Sequence, residues 1–176
     1  MNIGFIGLGV MGNPMAQNLQ RHPDYELCVF DVDIVRADPL VALGARRAES
    51  VAEAVTGMDV IFTSLPGPKQ VAEVAFADNG LFENIKRHAV WIDLSTNNLE
   101  TAKQIHSMAA DRQVEILDAP VSGGDEGARA GTLTVLVGGD ASVYEKHLPV
   151  LNVIGGVAGT MGPKEADPLT NDIQNR

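Results

Sequence analysis

Short runs of consecutive apolar residues alternate with amphipathic stretches along almost the whole chain, and this alternation constrains the fold more than any other feature. Val60–Leu65 (VIFTSL) and Ala89–Leu94 (AVWIDL) are apolar at successive positions rather than at every second one. A strand of that kind is buried on both faces, which belongs to a parallel sheet covered by helices on each side. Further strands are predicted at Asn2–Ile6, Glu26–Phe30, Ala45–Ala48, Val114–Asp118 and Thr132–Val137, with a last short strand starting at Val153–Ile154. Helices are predicted over Met11–Gln20, Ile34–Leu43, Ser50–Thr56, Lys69–Phe76, Asn98–Ala110 and Ser142–Leu151. Gly44 is placed to stop the second of these. Ser50 and Glu53 have capping-box spacing. Leu99, Ala102, Ile105, Met108 and Ala109 fall on one face of the Asn98–Ala110 helix. The expected class is α/β, with a doubly wound, mainly parallel sheet.

The chain's 176 residues suffice for one domain with a single good core. Thirteen Lys+Arg against 23 Asp+Glu give a net charge of −10, which disfavours nucleic acid and anionic membrane surfaces as partners. A single cysteine, Cys28, rules out a disulfide framework and a cysteine-based zinc site. The apolar runs are far shorter than a membrane span, and the start MNIGFIGLG has no basic signal region. A cytoplasmic location is therefore expected. His22, His88, His106 and His147 occur singly, at no metal-ligand spacing, and are expected at the surface or at helix ends, so no metal is assigned. Cys28 and Trp91 read as core residues, and Arg46-Arg47 as a solvated pair.

Eighteen glycines are the compositional oddity. Gly7-Leu8-Gly9-Val10-Met11-Gly12 matches G-x-G-x-x-G, directly after a predicted strand and at the opening of a helix. In that context Gly7 permits the tight turn, Gly9 lets backbone approach a pyrophosphate, and Gly12 lets the helix pack close to the strand. The N–H groups of Val10 and Met11 would face the phosphates from the helix N-terminus. Asp31 ends the second strand, 19 residues after Gly12. A carboxylate there accepts from the adenosine ribose hydroxyls and repels a 2′-phosphate. Val32, Asp33, Ile34 and Val35 follow before the first arginine, Arg36. NAD is thus expected in preference to NADP, on a Rossmann-type domain spanning residues 1–160.

The segments GFIGLGVMGNPMAQNL (Gly4–Leu19), DLST (Asp93–Thr96) and DAPVSGGDEGARAGTLTVLVGG (Asp118–Gly139) together resemble the β-hydroxyacid dehydrogenases. That family includes 3-hydroxyisobutyrate dehydrogenase and tartronate semialdehyde reductase and is related to 6-phosphogluconate dehydrogenase. The resemblance covers about residues 2–160. It implies that Leu65 and Pro66 line the cofactor and that Thr96 lies beside the nicotinamide ribose. It also implies that Ser122, Gly123 and Gly124 hold the carboxylate of a small hydroxyacid substrate. Glycines that expose N–H groups, with one added hydroxyl, suit an anion chemically.

The family carries an all-helical second domain and a catalytic lysine near the domain junction. In this chain Pro168 falls where the resemblance calls for that lysine, and Lys164 is the nearest amine. Residues 161–176 read as a divergent, poorly ordered tail with little to bury. No catalytic residue is assigned. Three readings follow: the cofactor domain of a hydroxyacid oxidoreductase, truncated here and weakly active or inactive; a free-standing NAD-binding module; or a degenerate gene product. Apolar surface around Leu169–Ile173 and along the last strands of the cofactor domain leads to an expectation of self-association into a homo-oligomer.

Overall fold

The computed structural model describes residues 1–161, with the backbone alone for residues 157–161. The tail assigned from residue 161, with Lys164, Pro168 and Leu169–Ile173, lies outside the described residues except for Met161 itself.

The first half alternates as expected: β1 (Asn2–Ile6), α1 (Gly12–Gln20), β2 (Glu26–Phe30), α2 (Asp38–Ala42), β3 (Arg46–Arg47), α3 (Val51–Val55), β4 (Val60–Thr63) and α4 (Pro68–Phe76). Then come α5 (Leu81–Asn84), β5 (Val90–Asp93), α6 (Leu99–Arg112), β6 (Glu115–Asp118), β7 (Val121–Ser122), α7 (Gly124–Ala130), β8 (Leu133–Gly139), α8 (Ala141–Ile154) and β9 (Gly155–Met161). Among the described residues these strands form one sheet in the order β3-β2-β1-β4-β5-β6-β8-β7, with β9 also on β8. The pairs from β3 through to β6 are parallel. Strand β8 runs antiparallel to β6 and β7 and parallel to β9. The sheet is therefore mainly parallel and doubly wound. No helix among the described residues is long and apolar enough to cross a membrane.

The continuous apolar runs have the anticipated cause. Phe5, Phe62 and Ile92 point to one face, with α1 and α8; Ile6, Ile61 and Trp91 point to the other, with α3, α4 and α6. The strands pair in register at Phe5 and Phe62, whose rings lie 5.8 Å apart. Trp91 is fully buried, and Cys28 is buried with its thiol pushed up to about 11 by desolvation. Ser50 caps α3 by accepting from the Glu53 N–H. The Glu53 carboxylate, however, returns to the Glu49 N–H rather than to that of Ser50. Arg46 pairs with Glu53, and Arg47 with Asp38.

Several expectations are corrected. The Ile34–Leu43 helix divides into a 3-10 turn over Ile34–Ala37 and the short α2. Val153 and Ile154 are the last turn of α8 rather than the start of a strand. Ile154 is fully buried there, on the same helix face as Val150 and Leu151, so packing extends the helix to Gly155. On α6, Leu99 is exposed, and Thr101 joins Ile105 and Ala109 in the buried stripe. His106 is partly buried against Asp118, Nε2 to Oδ2 at 2.6 Å.

His147 is buried within α8, its Nδ1 2.7 Å from the Val143 carbonyl, and is not a surface group. Burial holds its imidazole below the ordinary value of 6.5. The folded state thus resists protonation more than the unfolded state does. Stability present above the unfolded value is lost as pH falls through it toward the depressed folded value. Melting temperature should therefore drop between pH 7 and pH 5, and His147→Gln should drop less steeply. Parallel slopes for the two proteins would remove His147 from the acid response.

Candidate functional site

Strand β1 leads out to β2 and β3 on one side of the sheet, while β4 and β5 lie on the other. The chain reverses its direction of winding between β1 and β4, which opens a crevice beyond the carboxyl ends of the strands. A cleft of about 500 Å³ lies there.

The turn between β1 and α1 forms one wall. Gly7 has φ +94°, and a Cβ on it would stand 2.2 Å from the Ser64 carbonyl oxygen. A Cβ on Gly12 would stand 1.9 Å from the Gly7 carbonyl oxygen, so α1 sits directly on the turn. Gly9 differs: an added Cβ would meet only the tip of Arg36, Nη1, at 3.8 Å. Its open side fronts the cleft, as do Val10 and Met11. Neither a side-chain cap nor a first-turn acid stands at the N-terminus of α1. Its dipole therefore favours an anion at this end.

Leu8 is buried, and its N–H donates to Asp31 Oδ2 at 2.6 Å. Asp31 Oδ1 accepts from the Asp33 N–H at 2.8 Å. The carboxylate thus ties the glycine turn to the end of β2. An ionised carboxylate has about four acceptor positions, so this tie leaves room for further donors.

The opposite wall comes from the loops after β4 and β5. Leu65, Pro66 and Thr96 line it, with Gln70, Glu73 and Val74 from α4. A buried network supports it from beneath. The Thr63 hydroxyl donates to Asp93 Oδ1 at 2.7 Å and accepts from the Trp91 Nε1–H at 2.8 Å. The Ser95 N–H and Asn97 Nδ2 also donate to Asp93, and the Ser95 hydroxyl accepts from the Leu65 N–H. Burial pushes the Asp93 carboxyl above its ordinary value, and the bonds from Thr63, Ser95 and Asn97 pull against that rise. The two wall loops are locked to one another through this carboxylate.

Val121 lines the cleft, whereas Ser122, Gly123 and Gly124 lie just past it, exposed at the start of α7. Gly123 and Gly124 have φ of +134° and +65°, so the loop turns sharply there. The structure thus gathers the glycine turn, Asp31, Leu65, Pro66 and Thr96 around one cleft and leaves the 122–124 loop beside it. Sequence reasoning missed Arg36, Val32 and the α4 residues, which also line the cleft. For Arg36 a signal existed: Asp33 precedes it by three residues, the spacing of an ion pair on a helical turn.

A glycine turn opening a helix at the switch point of a doubly wound sheet, with an acid at the end of the second strand, defines a dinucleotide-binding domain. Residues 2–162 match the family model of the NAD binding domain of 6-phosphogluconate dehydrogenase, and the chain belongs to that family. It is 42% identical over 174 residues to an NAD-dependent L-serine dehydrogenase of Pseudomonas aeruginosa, across 99% of this chain and 58% of that protein. It is 41% identical to a 2-hydroxy-3-oxopropionate reductase of Escherichia coli, across 98% of this chain and 60% of the relative. A solved structure of a Mycobacterium tuberculosis 3-hydroxyisobutyrate dehydrogenase with L-serine is 33% identical, with a TM-score of 0.89, across 99% of this chain and 58% of that one. The chain thus spans about three-fifths of the length of these relatives.

Proposed function

We propose that these residues form the NAD-binding part of an oxidoreductase that moves hydride between the CHOH carbon of a short β-hydroxyacid and the cofactor. The open backbone at Gly9, beside an uncapped helix N-terminus, carries this reading. The residues present fit a dinucleotide: N–H groups of Val10 and Met11 face its pyrophosphate, and Asp31 accepts from its adenosine ribose. Leu65, Pro66 and Thr96 border the nicotinamide half, which supplies the hydride acceptor when bound. Ser122, Gly123 and Gly124 receive the substrate carboxylate. Similarity to an L-serine dehydrogenase and a 2-hydroxy-3-oxopropionate reductase supports a short substrate with a hydroxyl or oxo group at C3 or C2.

No lysine or histidine lines the cleft among the described residues. Proton transfer to or from the substrate oxygen, worth ~10²–10⁴-fold in rate, then has only carboxylates such as Glu73, hydroxyls, or a group outside the described residues to call on. This observation favours a second reading, a binding module without turnover. Calorimetric titration beside a steady-state assay separates the two. The 176-residue chain should bind NAD in the micromolar-to-millimolar range and oxidise 3-hydroxyisobutyrate or L-serine only at background. Robust turnover would remove the module reading; absence of NAD binding would remove both.

NAD should bind more tightly than NADP. Asp31→Asn should narrow that preference, because the amide removes the charge that opposes a 2′-phosphate while keeping one acceptor for the Leu8 N–H. Equal affinities in the unmutated chain would overturn the role given to Asp31.

A further inference from the structure

The segment after β2 holds an ionic arrangement that the proposed function does not use. Arg36 lies near both Asp33 and Asp31: its Nε is 3.2 Å from Asp33 Oδ2, and its Nη1 is 3.9 Å from Asp31 Oδ2. The backbone around it is fixed. The Asp33 N–H donates to Asp31, the Arg36 N–H donates to the Asp33 carbonyl, and Asn13 Nδ2 of α1 donates to the Arg36 carbonyl at 2.7 Å. The guanidinium therefore stands at the mouth of the cleft beside Gly9, on the side where Asp31 marks the ribose.

A guanidinium in that place is chemically suited to a phosphate, which it grips through two parallel N–H donors. Its Nε–H instead donates to Asp33 and its Nη1 faces Asp31 at ion-pair distance, and the three side chains sum to one negative charge. We infer that Asp33 is a specificity-determining residue: it holds Arg36 away from a 2′-phosphate and so keeps the domain selective for NAD. The inference rests on the dinucleotide reading of the cleft. Arg36 and Asp33 are each about half exposed, at 49% and 48%. A pair so exposed is weakly held, so a dianionic phosphate competes with Asp33 for the same donors. Selectivity then rests on a small margin and shifts when Asp33 loses its charge.

Asp33 caps no helix through its side chain, so Asp33→Asn is expected to fold, and Asp33→Ser serves as a second variant. Titration calorimetry with NAD and with NADP reads the ratio of their dissociation constants. Either variant should shift that ratio about tenfold toward NADP, and the shift should shrink as salt rises. Adding Arg36→Ala to Asp33→Asn should erase the shift, and in the unmutated background Arg36→Ala should move the ratio far less. An unchanged ratio in both Asp33 variants, or a shift that survives Arg36→Ala, overturns the inference while leaving the cofactor reading intact. Failure of the unmutated chain to bind either dinucleotide overturns the cofactor reading and the inference with it.

Discussion

Gly12→Ala should cost the domain about 4 kcal/mol and lower its melting temperature by about 8–16 °C, although it adds one methyl group to a helix. Alanine is ordinarily the better helix former by up to ~1 kcal/mol. Here the new carbon would lie 1.9 Å from the Gly7 carbonyl oxygen and 3.0 Å from its carbonyl carbon. Both are backbone atoms of the turn that Gly12 itself closes, and neither swings aside as a flexible side chain does. Gly7 is pinned in turn, its N–H donating to the Phe30 carbonyl at 2.9 Å. Relief requires α1 to move off β1, which uncovers Met15, Ala16 and Leu19, all fully buried on it. Melting followed by circular dichroism reads the effect, and a shift of less than about 3 °C would show that the turn yields more easily than this geometry allows.

Gly9→Val should do the reverse, leaving the melting temperature within about 2 °C while weakening NAD binding at least ~100-fold, or ~2.7 kcal/mol. The protein offers no obstacle where the side chain starts: the nearest atom to a Cβ is the end of Arg36 at 3.8 Å, and it is flexible. The space the valine fills is the cleft itself, where the backbone would meet a pyrophosphate. The two substitutions lie three residues apart in one motif and separate folding from binding. A Gly9→Val protein that melts normally and still binds NAD at the original affinity would move the phosphate site away from this turn.

The sheet was legible because its cause is local. Phe5 and Ile6, or Ile61 and Phe62, read as unbroken apolar runs since each neighbour faces a different helical layer. The glycine turn was legible for a similar reason, since its residue types and spacing are dictated by backbone geometry within one strand–turn–helix unit. Elements held mainly by distant contacts were not. Helix α5 is four residues long and stands on the burial of Leu81 and Phe82, with Phe82 edge-on to Trp91. Helix α7 carries two glycines and stops at Gly131 in the left-handed conformation, a composition that reads as loop. Strand β7 is two residues that pair only because β8 passes beside them.

By itself, then, the order of residues determined the doubly wound class, the place of the glycine turn and the acid at the end of β2. It also carried the family resemblance that the match over residues 2–162 bears out. Tertiary structure alone decided that Asp31 is fastened to the Leu8 N–H, that Asp93 locks the two loops of the far wall, and that His147 is buried. It alone placed Arg36 beside Gly9. The reason is physical: hydrophobic periodicity and turn chemistry act over a few residues and leave a local trace. A polar side chain finds its partner across the fold, 23 residues away for Leu8 and Asp31 and 30 for Thr63 and Asp93. Such a pairing depends on how strands align and loops close, and no short stretch of sequence records it.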